Sequence, residues 1–140
     1  MTPNSPPVVL QAHTHLRIDT ELVGAPLELS AGYARVSLRT HARMIADDAG
    51  LVHGGFVFGL ADYAAMLAVN DPNVVLGEAT TRFLAPVTLG EEVVAVAQIS
   101  AEKGRKREVR VECAVGEKKI FEGNFVCFVL DAHVLQRREA

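Results

Sequence analysis

The stretch that decides the fold reads GLVHGGFVFGLADYAA and occupies residues 50–65. It predicts a helix from about Gly54 to Val69 that is apolar nearly all the way round. The only acidic side chain in this helix is Asp62, and a buried carboxylate is costly unless it is paired or used. Glycines at the start let a ligand approach the unpaired N–H groups of the first turn, where the helix dipole favours negative charge. An anion site and a desolvated acid in one stretch point to acyl-transfer chemistry.

The composition limits what the rest of the chain can do. The chain has 140 residues, is 49% hydrophobic and carries a net charge of −3. We expect a single domain over residues 8–140 after a flexible, proline-rich tail over residues 1–7. The negative charge argues against a nucleic-acid partner, whose binding surface is usually basic. Asp62 and Asn70 interrupt the longest apolar run, so no membrane span is predicted.

Cysteine use and the N-terminal residues indicate where the protein works. Cys113 and Cys127 lie in strand-like stretches without disulfide density or metal-ligand spacing. Residues 1–7 lack the cationic and apolar parts of a secretory signal. We therefore expect a reduced, cytoplasmic protein with both cysteines in the core.

Around the long helix the pattern predicts six strands and one short helix. Alternating residues from Pro26 to Thr40 predict a hairpin that turns at residues 31–32. Asn-Asp-Pro at residues 70–72 ends the long helix. Four strands joined by short loops favour an antiparallel meander, and the class is α+β. The other predicted elements are a short helix at Val8–Arg17 and strands at Val74–Leu84, Glu92–Ala101, Arg107–Val115 and Lys119–Asp131.

A helix that is apolar on every side must be enclosed. The sheet is expected to curl around it, and one sheet does not cover all of its surface. A second subunit is therefore predicted to cover the remainder.

Several motifs, taken together, resemble the hotdog-fold acyl-CoA thioesterases, most closely the phenylacetate-pathway and type II 4-hydroxybenzoyl-CoA branches. The similarity spans about residues 32–130, with the elements in the same order. Its motifs are His53-Gly54-Gly55, Leu60-Ala61-Asp62, Arg82-Phe83-Leu84-Ala85-Pro86-Val87 and Gly90-Glu91.

The resemblance implies a role for each matching residue. The N–H of Gly54 would polarise the thioester carbonyl, Asp62 would be nucleophile or general base, and His53 would support the loop or the substrate. Gly55 and Phe58 are expected to contact substrate. No metal or redox cofactor is expected, since coenzyme A is part of the substrate.

Helix geometry supports a shared site. Eight residues of helix cover about 12 Å, too far for Asp62 to reach a carbonyl held at its own Gly54. An antiparallel helix from a partner subunit would bring the two groups together. The resemblance thus implies a homodimer, assembling to a homotetramer, with two sites per dimer.

The chain also departs from the family pattern. Asp47 stands six residues before His53, where many members carry an asparagine that contacts the thioester or the attacking water. Some members place a catalytic Ser or Thr near the start of the strand after the helix, but this chain has its nearest hydroxyls later, at Thr80 and Thr81. We keep Asp47, Thr80 and Thr81 as candidate substrate-binding residues.

Other functions and other sites remain open. Malonyl-CoA-sensing repressors bind acyl-CoA with a hotdog domain and do not hydrolyse it, so a sensor is the main alternative; their DNA-binding segment is not predicted in these residues. Dehydratases of this fold carry a helix histidine that is missing after His53. His13 and His15 form a weak metal motif, and the basic residues 103–107 are either a solvated turn or a grip for a CoA phosphate.

Overall fold

The computed structural model describes residues 10–136, so the predicted tail over residues 1–7 lies outside the described residues. Helices and strands lie within two residues of the predicted bounds, apart from the N-terminal helix. Two helices and six strands are formed: α1 (Thr20–Val23), β1 (Ala25–Ser30), β2 (Tyr33–Arg39), α2 (Gly54–Val69), β3 (Val74–Phe83), β4 (Glu92–Lys103), β5 (Lys106–Val115) and β6 (Lys118–Val129). Short 3-10 turns occur at Ala42–Met44 and Val134–Gln136.

The six strands form one antiparallel sheet in the order β1-β2-β4-β5-β6-β3. Strands β4, β5 and β6 form the expected meander, but β3 does not join it next to β4. It pairs instead with β6 at the far edge, and β4 pairs with β2. The segment between β3 and β4 therefore crosses under the start of α2. The pairing of β3 with β6 joins strands that are far apart in sequence, and local alternation does not reveal it.

The sheet bends around α2 because four of its strand pairs contain a bulge, where an extra residue kinks one strand. At the β3 bulge, a neighbouring ring comes so close to Gly77 that the position has no room for a side chain. A Cβ built there would lie 2.6 Å from the ring of Phe128, so any side chain would displace that ring. The curved sheet wraps the long helix, which confirms the predicted hotdog fold.

The core lies between the concave face of the sheet and α2. The helix is buried over most of its second half, where its buried residues other than Tyr63 are small or aliphatic or are methionine. Facing side chains from β2, β4, β5 and β6 alternate inward, as period-2 strands require. The largest fully buried side chains are Phe121, Phe125, Leu38, Met44, Leu60, Met66, Leu67 and Ile120.

The helix predicted at Val8–Arg17 is wrong over its described part. Residues 10–17 are irregular, because their backbone is committed elsewhere: Leu10 N–H donates to Leu29 O and His13 N–H donates to the Asn70 side chain. The short helix forms later, at Thr20, where Asp19 caps the first turn. Within residues 10–136, no helix combines the length and the hydropathy that crossing a bilayer requires.

Candidate functional site

The first turn of α2 is left without a cap. His53 occupies the cap position but makes no side-chain bond to the turn, and its backbone N–H donates to Met44 O at 2.8 Å. The N–H groups of Gly54 and Gly55 have no hydrogen-bond partner within residues 10–136. Two aligned, unpaired donors at the positive end of a helix dipole form a site for an oxyanion or a polarised carbonyl.

A pocket of about 360 Å³ opens beside this turn. One wall is the segment that leads into α2 and its first turn, and the other is the end of β3 with the crossover to β4. None of the lining side chains is charged or polar, so the pocket suits an apolar group. Its lining residues are Leu51, Val52, Gly54, Val57, Phe83, Leu84, Ala85, Pro86, Val87 and Ile120.

The crossover from β3 to β4 holds this pocket together. Val52 N–H donates to Val87 O at 2.8 Å, and Leu89 N–H donates to Gly50 O at 2.9 Å. The two walls are therefore fixed to each other by backbone hydrogen bonds, and the non-local path of β3 builds the pocket.

Asp62 lies two turns further along α2. Its Oδ1 atom is fully enclosed and has no hydrogen-bond partner among the described residues. Burial raises the pKa of Asp62 from 3.8 to about 6. An unpaired buried carboxylate oxygen typically costs about 1–3 kcal/mol, so it calls for an explanation, and a functional role is one.

The charge of Asp62 faces strand β6. It contributes, after burial, to raising the pKa of the Cys127 thiol to about 12. Phe58, one turn earlier, packs on Phe125 of β6 with ring centroids 5.6 Å apart. This face of α2 therefore looks toward β6.

The single chain does not bring Asp62 and Gly54 into one pocket. Gly54 lines the apolar pocket and Asp62 does not. The two groups that the sequence singles out thus lie on the same helix but in separate environments of one subunit.

His53 and Gly55 lie side by side at the start of α2. A Cβ on Gly55 would lie 3.1 Å from the His53 ring, so the imidazole folds over this glycine. The ring also packs edge-on against Phe56 and remains exposed. His53 is therefore placed beside the free N–H groups without bonding to them.

Asp47, Thr80 and Thr81 differ in their relation to the pocket. Asp47 stabilises a tight turn, since its Oδ1 accepts from Ala49 N–H at 3.0 Å and from Leu51 N–H at 3.2 Å. Leu51 lines the pocket and Asp47 does not, so this carboxylate supports the pocket wall through the turn. Thr80 and Thr81 lie on β3 opposite Asn124 and Gly123 and do not line the pocket.

The remaining candidates have structural surroundings. Both cysteines are buried, and burial raises the pKa of each thiol to about 12, so neither is a ready nucleophile. His13 and His15 border another cavity, but within residues 10–136 no three His, Cys, Asp or Glu side chains come together to hold a metal ion. The basic segment is the β4–β5 turn, with Arg105 paired to Asp131 and Arg107 to Glu102.

Residue-by-residue reasoning missed most of the pocket wall. Residues 83–87 stand in the motif that carries the resemblance, yet their part in a pocket depends on the crossover. Ile120 of β6 had no distinguishing signal, because an apolar strand residue reads as core.

Among curated proteins, two relatives illustrate how varied the matches are. The chain is 53% identical over 123 residues to a methylthioribose-1-phosphate isomerase of Aquifex aeolicus, covering 87% of this chain and 27% of that protein. It is 27% identical over 122 residues to the transcription factor FapR of Caldanaerobacter subterraneus, covering 86% of this chain and 61% of that protein. The chain thus spans less than two thirds of either relative.

Solved structures match over nearly their whole length. An uncharacterized protein of Pyrococcus horikoshii is 49% identical, with a TM-score of 0.91 over 92% of this chain and 99% of that one. A mutant of the phenylacetic acid degradation protein PaaI of Thermus thermophilus is 30% identical, with a TM-score of 0.72 over 79% of this chain and 97% of that one.

A family model described as the thioesterase superfamily matches residues 49–118. This match covers half of the chain, from the turn before α2 to the start of β6, and includes the uncapped helix start, Asp62 and the crossover. The chain therefore belongs to the thioesterase superfamily.

Proposed function

We propose that this protein hydrolyses acyl-CoA thioesters to the free acid and CoA, at sites shared between two subunits. The observation that carries the proposal is that one helix holds both an uncapped glycine start, beside an apolar pocket, and a carboxylate whose enclosed Oδ1 atom has no partner among the described residues. An oxyanion site and an acid of raised pKa are the parts that thioester hydrolysis needs.

In the proposed reaction the carbonyl oxygen of the thioester accepts a hydrogen bond from Gly54 N–H, with Gly55 N–H nearby. Asp62 either attacks the carbonyl carbon or removes a proton from the water that attacks it. The C–S bond then breaks and the CoA thiolate leaves and takes up a proton; an acyl–Asp62 anhydride, if formed, is hydrolysed by water. A pKa of about 6 keeps Asp62 largely ionised at neutral pH and more basic than an ordinary aspartate. No metal or organic cofactor takes part in these steps.

Two features support a site made by two subunits. Asp62 and Gly54 are about 12 Å apart along the helix and do not share a pocket. Among residues 10–136, strand β3 pairs with β6 alone, so its other edge offers backbone groups to a further strand. A second copy joined at this edge in antiparallel fashion would place its α2 alongside the first. We propose a dimer on this basis, with a tetramer built from two dimers, in the reduced cytoplasm.

A non-catalytic acyl-CoA sensor is the second candidate, and the match to the transcription factor FapR favours it. Asp47 bears on the choice, because its carboxylate is hydrogen-bonded to Leu51 of the pocket wall. Two like charges about 4 Å apart repel by about 4 kcal/mol at an effective dielectric of 20. An enzyme with Asp47 and Asp62 near the acyl group should therefore prefer neutral acyl groups over malonyl or succinyl groups by more than about 100-fold.

The test is a hydrolysis screen over aliphatic, aryl, malonyl and succinyl CoA thioesters, read with a thiol-detecting reagent and paired with calorimetric binding. Turnover of neutral thioesters with poor use of malonyl-CoA is the expected result and would eliminate the sensor. Tight malonyl-CoA binding with no thiol released from any substrate would overturn the enzyme. Sedimentation should show at least a dimer, and an active monomer would refute the shared site.

A further inference from the structure

The ring of Phe83 covers the glycine at which α2 begins. A Cβ built on Gly54 would lie 3.2 Å from Phe83 Cε1 and 3.6 Å from Cδ1. A distance this short is tighter than ordinary contact, so a side chain at Gly54 would push the ring away by a few tenths of an ångström. The same glycine carries one of the two unpaired N–H groups of the helix start.

Phe83 is held on one side and open on the other. It is the last residue of β3 and lies opposite Phe121, with an edge-to-face ring pair at 5.1 Å and 76°. Yet 56% of its surface is exposed, and the ring forms part of the pocket wall. A large aromatic ring that is anchored by one neighbour and exposed beside a free helix start is in position to contact a ligand.

The surroundings of the ring define the ligand part that fits. The pocket's lining contains no charged or polar side chain, so an ionised acyl group would lose its hydration there without compensation. The ring belongs to the apolar wall and also lies against the glycine that carries a free N–H, so an acyl group whose carbonyl meets that N–H would have its apolar part beside the ring.

We infer that Phe83 sets which acyl group is accepted, by forming the wall against which an uncharged, apolar acyl group packs while its carbonyl meets Gly54 N–H. This inference rests on the proposed thioesterase function and adds the substrate class and the residue that selects it. Shortening the side chain of Phe83 enlarges the pocket and admits bulkier acyl groups. A methyl group added at Gly54 pushes the ring outward and disturbs the wall without removing any hydrogen-bond donor.

The test compares kcat/KM for butanoyl-, octanoyl- and benzoyl-CoA in the wild type, Phe83→Leu and Phe83→Ala. One methylene in an apolar pocket changes discrimination by about 10-fold or more, so the ratio of octanoyl to butanoyl kcat/KM should rise about tenfold or more in Phe83→Ala. Leu27→Ala is the matched control, since Leu27 is an exposed apolar residue of β1, on the opposite edge of the sheet. Its ratios should equal those of the wild type, and unchanged ratios in both Phe83 variants would overturn the inference.

A double-mutant cycle tests the contact itself. Gly54→Ala retains the N–H but places a methyl group against the ring, so its loss of kcat/KM reports the ring and not the hydrogen bond. The loss should be smaller in the Phe83→Ala background, where nothing opposes the methyl group. Equal losses in both backgrounds would show that the contact does not matter.

The outcome can be separated from that of the proposed function. Equilibrium binding of S-butyl- and S-octyl-CoA, thioethers that cannot be hydrolysed, is measured for the same variants. If the wild type hydrolyses no thioester, the thioesterase proposal fails, and the selective role of Phe83 is then judged by whether Phe83→Ala shifts the ratio of these two Kd values. An unchanged Kd ratio in that case would overturn the inference as well.

Discussion

The two ends of helix α2 are built in opposite ways. At the C-terminal end Asn70 adopts a left-handed conformation, with φ of 53°, and its N–H closes the last turn on Met66 O at 2.8 Å. Its side chain accepts from His13 N–H at 2.7 Å and donates to Gln11 O at 3.0 Å. At the N-terminal end the N–H groups of Gly54 and Gly55 have no partner within residues 10–136.

We propose that the difference separates structural polar groups from functional ones. Satisfying helix ends is easy for a protein, since a Ser, Thr, Asp or Asn cap is enough at the N-terminus. In this chain a left-handed Asn70 closes the C-terminal end of α2, whereas the N–H groups of Gly54 and Gly55 and the Oδ1 atom of Asp62 have no partner among the described residues. Unpaired groups that persist beside a pocket are those that a ligand would satisfy, so the two ends should respond differently to substitution.

The largest effect is expected from Asp62→Asn. The substitution keeps shape and hydrogen-bonding capacity but removes the anion, so hydrolysis should fall by about 10²-fold or more while binding of a thioether analogue changes little. A thiol-release assay measures hydrolysis, and calorimetry measures binding of the thioether analogue. Full turnover by this variant on the best substrate would show that the acid is structural, like Asn70.

The oxyanion role of the helix start is tested by Gly54→Pro against Gly54→Ala. Both add a Cβ beside Phe83, but only proline removes the N–H. Proline is favoured at the first helical position, and His53 already has the extended conformation, with ψ of 128°, that precedes proline. The proline variant should lose about 10²- to 10³-fold in kcat relative to the alanine variant. Similar kcat values for the two variants would show that the Gly54 N–H does not take part in the reaction.

The pH dependence of stability should report the burial of Asp62. Because its pKa rises from 3.8 unfolded to about 6 folded, the folded state holds the proton more tightly. The stabilising contribution is complete below about pH 4 and is lost as the pH rises through about 6, amounting to at most about 3 kcal/mol. Urea unfolding from pH 4 to 8 should show this fall in the wild type relative to Asp62→Asn. If the free energy of unfolding changes with pH in the same way in both proteins, the Asp62 carboxylate is exposed to water in the folded state.

The smallest effect on function is expected at the other end of the helix. Asn70→Ala puts alanine, which tolerates the left-handed region less well than asparagine, at this position and removes two hydrogen bonds, so the free energy of unfolding should drop by about 2 kcal/mol with kcat unchanged. Asn70→Gly relieves the backbone cost and should lose less. Denaturant unfolding and steady-state kinetics on the same samples decide this. A large fall in kcat without loss of stability would break the distinction between the two ends.

Local signals were sufficient to predict the long helix and the six strands. They also identified the candidate site residues that lie on the helix, namely its glycine start and Asp62. The apolar run from Gly54, ended by Asn-Asp-Pro, predicted the 16-residue helix at the bounds that the structure shows. Alternation predicted the strands, because a half-buried strand repeats every two residues. The segment at residues 10–17 was predicted wrongly, since its backbone hydrogen bonds go to residues that are distant in sequence.

By itself, then, the sequence determined the helix, the six strands, the acid at Asp62 and the glycines at the helix start, because each is a local property of residue type and spacing. Only the tertiary structure decided that β3 pairs with β6 at the far edge, that the crossover meets residues 50–52, and that Phe83 rests on Gly54. The physical reason is that strand partners and pocket walls depend on contacts between residues far apart in the chain. Such contacts form only when the whole sheet closes around the helix.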